Sequence, residues 1–336
     1  MNRKAQVLII ILWILITLTI LAVGIGHRVS LALRISKYQR DKIKALYLAR
    51  AGMERAIAEL KKDTNNCDGL IETWSTGKDA EGKFIFKDVE LQAGTGEKFT
   101  VKYPAAQDDT SGDESRFIID AESKININTA SKELLETLLG KYAVSTNPSV
   151  IADNILVWRT ATGVAAPSDE DLGGYTNKRN SFSNVEELML VKDVTPEIYN
   201  SVKDFITVYG SGMVNLNTAG LSTIEILIAT CVKQLEKESV ADREPGDLAN
   251  RIHTLQQDKN MFANLADMQN KLQGEGGLTS AQLNIFGKLA SYADVKSTCF
   301  YIVSSGKIER DNFTYTIECV YDRQPPGKIV YYHESP

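Results

Sequence analysis

The sequence predicts an α+β fold: a long N-terminal helix, membrane-spanning and then amphipathic, packed on an antiparallel sheet that a large all-α insertion interrupts. Three observations carry that prediction. An uncharged apolar run continues without a break into helical periodicity, strand-like segments occupy only the two ends of the body, and the stretch between them contains the same blocks twice.

Residues 7–26 hold no charged side chain and are rich in Leu and Ile, about the 20 residues that cross a bilayer core as a helix. Arg3 and Lys4 precede the run, which keeps the extreme N-terminus cytoplasmic and sends the rest of the chain outward. A cleaved secretory signal has a shorter apolar region and a small-residue cleavage site. Here the run is too long, and no Pro breaks the helical pattern from Arg28 to Lys61. Along that extension Ile43, Leu46, Ala49, Met53, Ile57 and Leu60 recur every three or four residues as one apolar stripe. The whole helix is roughly 80 Å long at about 1.5 Å per residue. An ordinary anchor with an amphipathic stalk shares this pattern.

A short basic leader, a small residue, an apolar stretch and a long amphipathic continuation together resemble the N-terminus of type IV pilins and pseudopilins. The resemblance implies a leader over 1–5, cut on the cytoplasmic side by prepilin peptidase at the Ala5-Gln6 bond, and a helix over 6–63. Most members of that superfamily have Glu at the fifth mature position; here that position is Ile10. In this the chain resembles the K-type minor pseudopilin of type II secretion (general secretion pathway protein K). A carboxylate in hydrocarbon is tolerable only when paired, in that superfamily with a neighbour's N-terminal amine. A subunit with no neighbour ahead has no amine to neutralise, so loss of the carboxylate suits a fibre tip.

After the helix, segments 84–91, 98–103 and 116–120 are rich in Phe, Val, Ile and Tyr and are separated by Gly, Pro and Asp. Strand signals resume only at 299–308 and 313–321, a hairpin around Glu309-Arg310-Asp311-Asn312, with a further candidate at 328–333. The expected organisation is therefore a first β-region over 64–123, an all-α insertion over 124–297 and C-terminal strands over 298–336. Strands that flank an insertion still pair if its ends lie close together, the layout that the resemblance to the K-type pseudopilin also implies.

The insertion is duplicated, with repeats over about 124–209 and 213–295. Lys124-Ile125-Asn126-Ile127-Asn128-Thr129-Ala130 recurs as Met213-Val214-Asn215-Leu216-Asn217-Thr218-Ala219. Ile151-Ala152-Asp153-Asn154-Ile155 matches Leu248-Ala249-Asn250-Arg251-Ile252, and Phe182-Ser183-Asn184-Val185-Glu186-Glu187-Leu188 matches Phe262-Ala263-Asn264-Leu265-Ala266-Asp267-Met268. Asn128 or Thr129, and Asn217 or Thr218, are expected to cap the helices that follow. The Asn-x-Asn-Thr-Ala and Phe-x-x-Val-Glu-Glu-Leu blocks also resemble SAM-like helix-hairpin-helix modules of the competence-receptor kind, which grip phosphate through a glycine-rich hairpin. The corresponding stretches, Leu139-Gly140-Lys141-Tyr142-Ala143-Val144 and Val191-Lys192-Asp193-Val194-Thr195-Pro196, lack the glycine pair, and the second carries Asp193 where phosphate would lie. Trp158, Tyr175 and the run Lys178-Arg179-Asn180-Ser181-Phe182 complete a resemblance to the K-type family from end to end.

That family is associated with calcium in its insertion. The acidic loop with Asp169, Glu170 and Asp171 offers hard oxygen ligands, but Arg159 and Thr160 stand where the family has acidic residues, and a solvated acidic loop is the competing reading. Four cysteines form no Cys-x-x-Cys pair, and three histidines are scattered, so neither a zinc centre nor a His-based catalytic cluster is legible. Cys299 and Cys319 flank the hairpin as a candidate disulfide, with buried thiols the alternative. A net charge of −5 disfavours a dedicated nucleic-acid binder.

The resemblance implies a non-enzymatic minor pseudopilin, single-pass in the bacterial inner membrane with a periplasmic body, at or near the pseudopilus tip, helping initiate fibre assembly and protein export. Implied partners are minor pseudopilins of the H, I and J types, the major pseudopilin, the L-type assembly-platform protein and prepilin peptidase, with no required cofactor. The alternatives are a membrane-tethered DNA receptor and a minor pilin of a related type IV pilus.

Overall fold

A computed structural model of the chain describes residues 3–102, 116–142, 147–160, 177–235, 244–257, 261–274 and 276–336. Helix α1 (Arg3–Lys62) runs unbroken for 60 residues, roughly 90 Å at about 1.5 Å per residue. Its side chains from Gln6 to Arg40 are exposed, and from Asp41 onward one face is buried. The one-turn α2 (Thr73–Thr76) and strands β1 (Val89–Glu90), β2 (Glu97–Val101) and β3 (Ile118–Asp120) follow.

The insertion opens with β4 (Ile125–Asn126), α3 (Lys132–Tyr142), α4 (Pro148–Arg159), α5 (Pro196–Val202) and β5 (Ile206–Thr207). It continues with β6 (Val214–Asn215), α6 (Leu221–Leu235), α7 (Glu244–Gln257), α8 (Leu265–Gly274), α9 (Ser280–Leu289) and β7 (Ala293–Asp294). Strands β8 (Cys299–Ile308), β9 (Phe313–Asp322) and β10 (Lys328–Ser335) close the chain.

The fold is α+β, and its main sheet is antiparallel, in the order β1-β2-β8-β9-β10. Strand β8 is where the two ends of the body meet: Val101 and Glu97 pair with Ser304 and Ile308, and Ile118 to Asp120 pair with Ile302 to Phe300. The β8–β9 hairpin closes between Ile308 and Phe313, where Asn312 adopts the left-handed conformation (φ 48°) that Asn tolerates better than most residues.

Helix α1 lies across β2, β8 and β9 with Ala45, Leu48, Ala49, Met53, Ala56, Ile57 and Leu60 buried. This differs from the stripe read in the sequence at its outer end: Ile43 is 54% exposed and Leu46 only half-buried. The face is chosen by close approach rather than by apolarity alone. Gly52 and Gly306 are the small residues at the crossing, where a Cβ on Gly306 would stand 2.6 Å from the Ala49 nitrogen and one on Gly52 would stand 2.8 Å from the Phe99 ring. Ser304 then donates a 2.7 Å hydrogen bond to the Ala49 carbonyl. Ile43 faces away from this crossing.

Each half of the insertion closes with a two-residue parallel pair, β4 on β5 and β6 on β7. The opening blocks make the same bonds. The Asn126 and Asn215 side-chain oxygens accept from the Asn128 and Asn217 nitrogens, at 2.9 Å in both copies. Asn128 clasps the Phe182 backbone, donating to its carbonyl at 3.0 Å and accepting from its nitrogen at 2.7 Å; Asn217 clasps Phe262 at 2.9 and 2.9 Å. Next, Asn184 accepts from the Glu187 nitrogen and Asn264 from the Asp267 nitrogen. The capping expected of Asn128 and Asn217 is thus corrected. Their amides are spent tying each opening turn to a phenylalanine 54 or 45 residues on, while Ser131 accepts from the Leu134 nitrogen at the start of α3. The insertion core is continuous across both halves and separate from the core between α1 and the sheet.

Candidate functional site

Two features stand out: the uncovered part of α1, and the polar knot where the insertion leaves and rejoins the sheet. Neither resembles a catalytic centre.

From Gln6 to Arg40 the rod carries no carboxylate; the first acidic residue after the N-terminus is Asp41. Leu8, Ile10 and Trp13 are 70, 58 and 65% exposed. Among the described residues α1 is the one helix long and apolar enough to cross a membrane. Side chains so apolar require lipid or neighbouring apolar surface. Ile10 sits on this bare surface, and the Ala5-Gln6 bond lies within the first turns of the same helix.

At the junction, Asp120 ends β3 and is completely enclosed. Its carboxylate accepts from the Glu122 nitrogen at 2.7 Å, the Ser297 hydroxyl at 2.6 Å, the Asn215 amide at 3.0 Å and the Thr218 hydroxyl. Burial, reinforced by the Glu122 charge and opposed by these donors, pushes the Asp120 carboxyl up to about 6. Glu122 ties the link between the repeats to the insertion's exit by accepting from the Ser211 nitrogen at 2.6 Å and from the Thr298 nitrogen.

Asp68, also buried, accepts from the Ser297 nitrogen and twice from Arg323, at 2.7 and 2.8 Å. Its carboxyl is raised to about 7, chiefly by burial, with Ser297 and Arg323 opposing. Arg323 also reaches Asp63 at 2.9 Å and the Ser297 carbonyl at 2.8 Å. The knot thus joins the end of α1, the end of β3, the link between the repeats, the opening turn of the second repeat and the residue after β9.

Asp63, Asp68 and Glu72 converge closely enough to suggest a cation site. The donors already present argue against one: Arg323 bridges the two aspartates, while Glu72 accepts from the Gly69 nitrogen, the Trp74 indole and the Asn65 amide. A guanidinium occupies the role a metal would take. The calcium candidates Asp169, Glu170 and Asp171 lie outside the described residues.

The candidate disulfide between Cys299 and Cys319 is corrected. Cys299 stands opposite Asp322, and Cys319 opposite Ile302. That three-residue offset sends the two side chains to opposite faces of the sheet, Cys319 into the α1 core and Cys299 into a small cluster with Ala121 and Val320. All four cysteines are buried free thiols. Desolvation lifts Cys299 to about 11 and Cys319 to about 12, leaving both unreactive at neutral pH.

The turn after the first Phe block holds Asp193 in the left-handed conformation (φ 67°), its carboxylate accepting from Asn154 at 3.0 Å. An anionic side chain occupies the place where a phosphate-gripping hairpin needs glycine.

No family model and no curated protein matches the chain. Its fold is shared with a chain in the crystal structure of the GspK-GspI-GspJ complex from the enterotoxigenic Escherichia coli type 2 secretion system, with a TM-score of 0.61 at 12% identity. The match covers 90% of this chain and 99% of that one, so the likeness takes in sheet and insertion together. It is a likeness of fold.

Proposed function

We propose that this chain is a minor pseudopilin of the K type, a non-catalytic subunit of a type II secretion system. The observation that carries the reading is the combination of a whole-chain fold match to a subunit of a GspK-GspI-GspJ complex with a rod that has no carboxylate before Asp41. The first supports the kind of assembly, and the second is consistent with a place at its tip. A rod with nothing to pair against a preceding subunit's amine is stable in lipid unaided and fits the first, outermost position of a fibre.

In this reading prepilin peptidase removes 1–5, the span over 7–26 holds the subunit in the inner membrane with its N-terminus cytoplasmic, and the body is periplasmic. The I-type and J-type pseudopilins, whose counterparts assemble with GspK in the matched complex, cover the apolar rod. The H-type and major pseudopilins then extend the fibre from the L-type platform. Calcium at Asp169, Glu170 and Asp171 remains part of this proposal.

Co-expression with the I-type and J-type pseudopilins of the same bacterium, followed by affinity purification through this chain, tests the assignment. A stoichiometric ternary complex is expected; recovery of this chain alone, under conditions where both partners are folded, contradicts it.

A further inference from the structure

A cleft of about 440 Å³ separates the first repeat from the sheet face turned away from α1, a volume within the range of small-ligand sites. Its sheet side presents Tyr301, Glu318 and Tyr331, and its helical side Glu186, Tyr199 and Asp204. Lys124 and Lys203 also line it.

Lys124 marks the point where the two repeats part company. In the opening blocks, six of seven positions are identical or conservatively replaced, but Lys124 corresponds to Met213. The shared scaffold therefore has no use for a cation there. Among the described residues its ammonium makes no hydrogen bond or ion pair, and burial lowers its proton affinity against the pull of Asp204. A half-buried ammonium drawn only by the charge of Asp204 keeps its hydrogen-bond donors uncommitted.

The tyrosines are similarly unspent. Tyr301 shares a 3.1 Å hydrogen bond with the Thr207 hydroxyl, whereas the hydroxyls of Tyr199, Tyr209 and Tyr331 have no partner among the described residues. Phenols are protonated at neutral pH, and desolvation raises all three further above their ordinary value.

This inventory selects a ligand. Glu186, Asp204 and Glu318 outnumber Lys124 and Lys203, so a ligand with several negative charges is repelled, one with several positive charges meets both lysines, and a single carboxylate is accommodated only beside a lysine. A purely apolar ligand strands the polar walls without partners. The remaining match is a ligand with flat faces for tyrosine, many hydroxyl and amide groups, and a single carboxylate.

We propose that the cleft binds an oligosaccharide bearing a carboxylate, held by Lys124 at the acid and by Tyr199 and Tyr331 along the sugar rings. Cell-wall glycan stripped of its stem peptide, whose lactyl-ether amino sugar then carries a free carboxylate, is the polymer of that chemistry in the compartment proposed for the body. Binding in solution does not depend on that placement.

The test is calorimetric titration of the full chain in a zwitterionic detergent, which avoids sugar-headed competitors. The probes are the disaccharide of N-acetylglucosamine and N-acetylmuramic acid, the neutral di-N-acetylchitobiose, and the cell-wall stem peptide without sugar. Wild-type chain is expected to prefer the carboxylated disaccharide. Lys124→Met, which installs the second repeat's own residue and should retain the wild-type melting temperature, is expected to weaken that probe about tenfold, the factor one charge-assisted hydrogen bond carries, and to leave the neutral sugar unchanged. Absence of sugar binding, equal affinity in Lys124→Met, or preference for the stem peptide overturns the proposal.

Discussion

Gly306 of β8 lies against the backbone of α1 at Ala49, so close that a single added methyl would stand 2.6 Å from the Ala49 nitrogen. The angle at which the apolar rod leaves the body is therefore set by main chain on main chain, with no flexible side chain between. Gly306→Ala should destabilise the chain by about 1–3 kcal/mol, the usual cost of overpacking a site that cannot relax. Urea unfolding followed by near-ultraviolet circular dichroism measures it, and an unchanged midpoint means the helix is free to shift.

The two asparagine clasps make a second prediction. Asn128→Ala and Asn217→Ala each strand a phenylalanine backbone nitrogen and carbonyl, which should cost about 1–3 kcal/mol. Asn217 is the more buried of the two and should be the more costly. The clasps share no partner, so the double variant should lose nearly the sum of the two in thermal unfolding.

The pH dependence of stability follows from Asp68 and Asp120. Their folded values, about 7 and about 6, lie above the ordinary 3.8. The stability they contribute is therefore fully present below about pH 4 and is lost as pH rises through 6 to 7. Carboxyls held below their ordinary range, such as Glu187, Asp267 and Glu309, act only on the acid side of that window. The urea midpoint should thus fall between pH 5 and pH 8, and Asp120→Asn should flatten the decline. A midpoint that rises over this interval contradicts the account of the knot.

Arg323 is the cation of the knot. Removing it as Arg323→Met leaves two aspartates uncompensated, one fully buried, and should cost about 3–5 kcal/mol. Adding Asp68→Asn to the same chain should recover part of the loss. If the double variant is no more stable than the single one, the Arg323–Asp68 pair is not what holds the insertion to the sheet.

Much of this architecture was legible in the sequence because its signals are local. Helical periodicity marked α1, alternating apolar residues around Asn312 marked the β8–β9 hairpin, and the recurring Asn-x-Asn-Thr-Ala block marked the duplication. The burial phase of α1 was missed at Ile43, because glycine-backed approach at Gly306 outranks hydrophobicity and a stripe of apolar residues carries no record of it. The clasping role of Asn128 was hidden by distance, since its partner lies at Phe182. The knot was hidden for the same reason: Asp68, Asp120, Asn215, Ser297 and Arg323 are far apart in the chain and each is ordinary alone. The one signal that could have found it is positional, and it went unread: polar Asp120-Ala121-Glu122-Ser123 enters the insertion and Lys296-Ser297-Thr298 leaves it. Between a Cys299–Cys319 bridge and buried thiols the sequence left the choice open, because flanking a hairpin does not fix which face of the sheet each residue takes.

The most direct measurement is the mass of the membrane-bound chain after co-expression with an active prepilin peptidase. A mature N-terminus at Gln6, with the apolar helix still attached to the body and the whole chain retained in the membrane, is the predicted result. An N-terminus beyond Gly26 on a body released into solution, or a chain left uncut by the active enzyme, contradicts it.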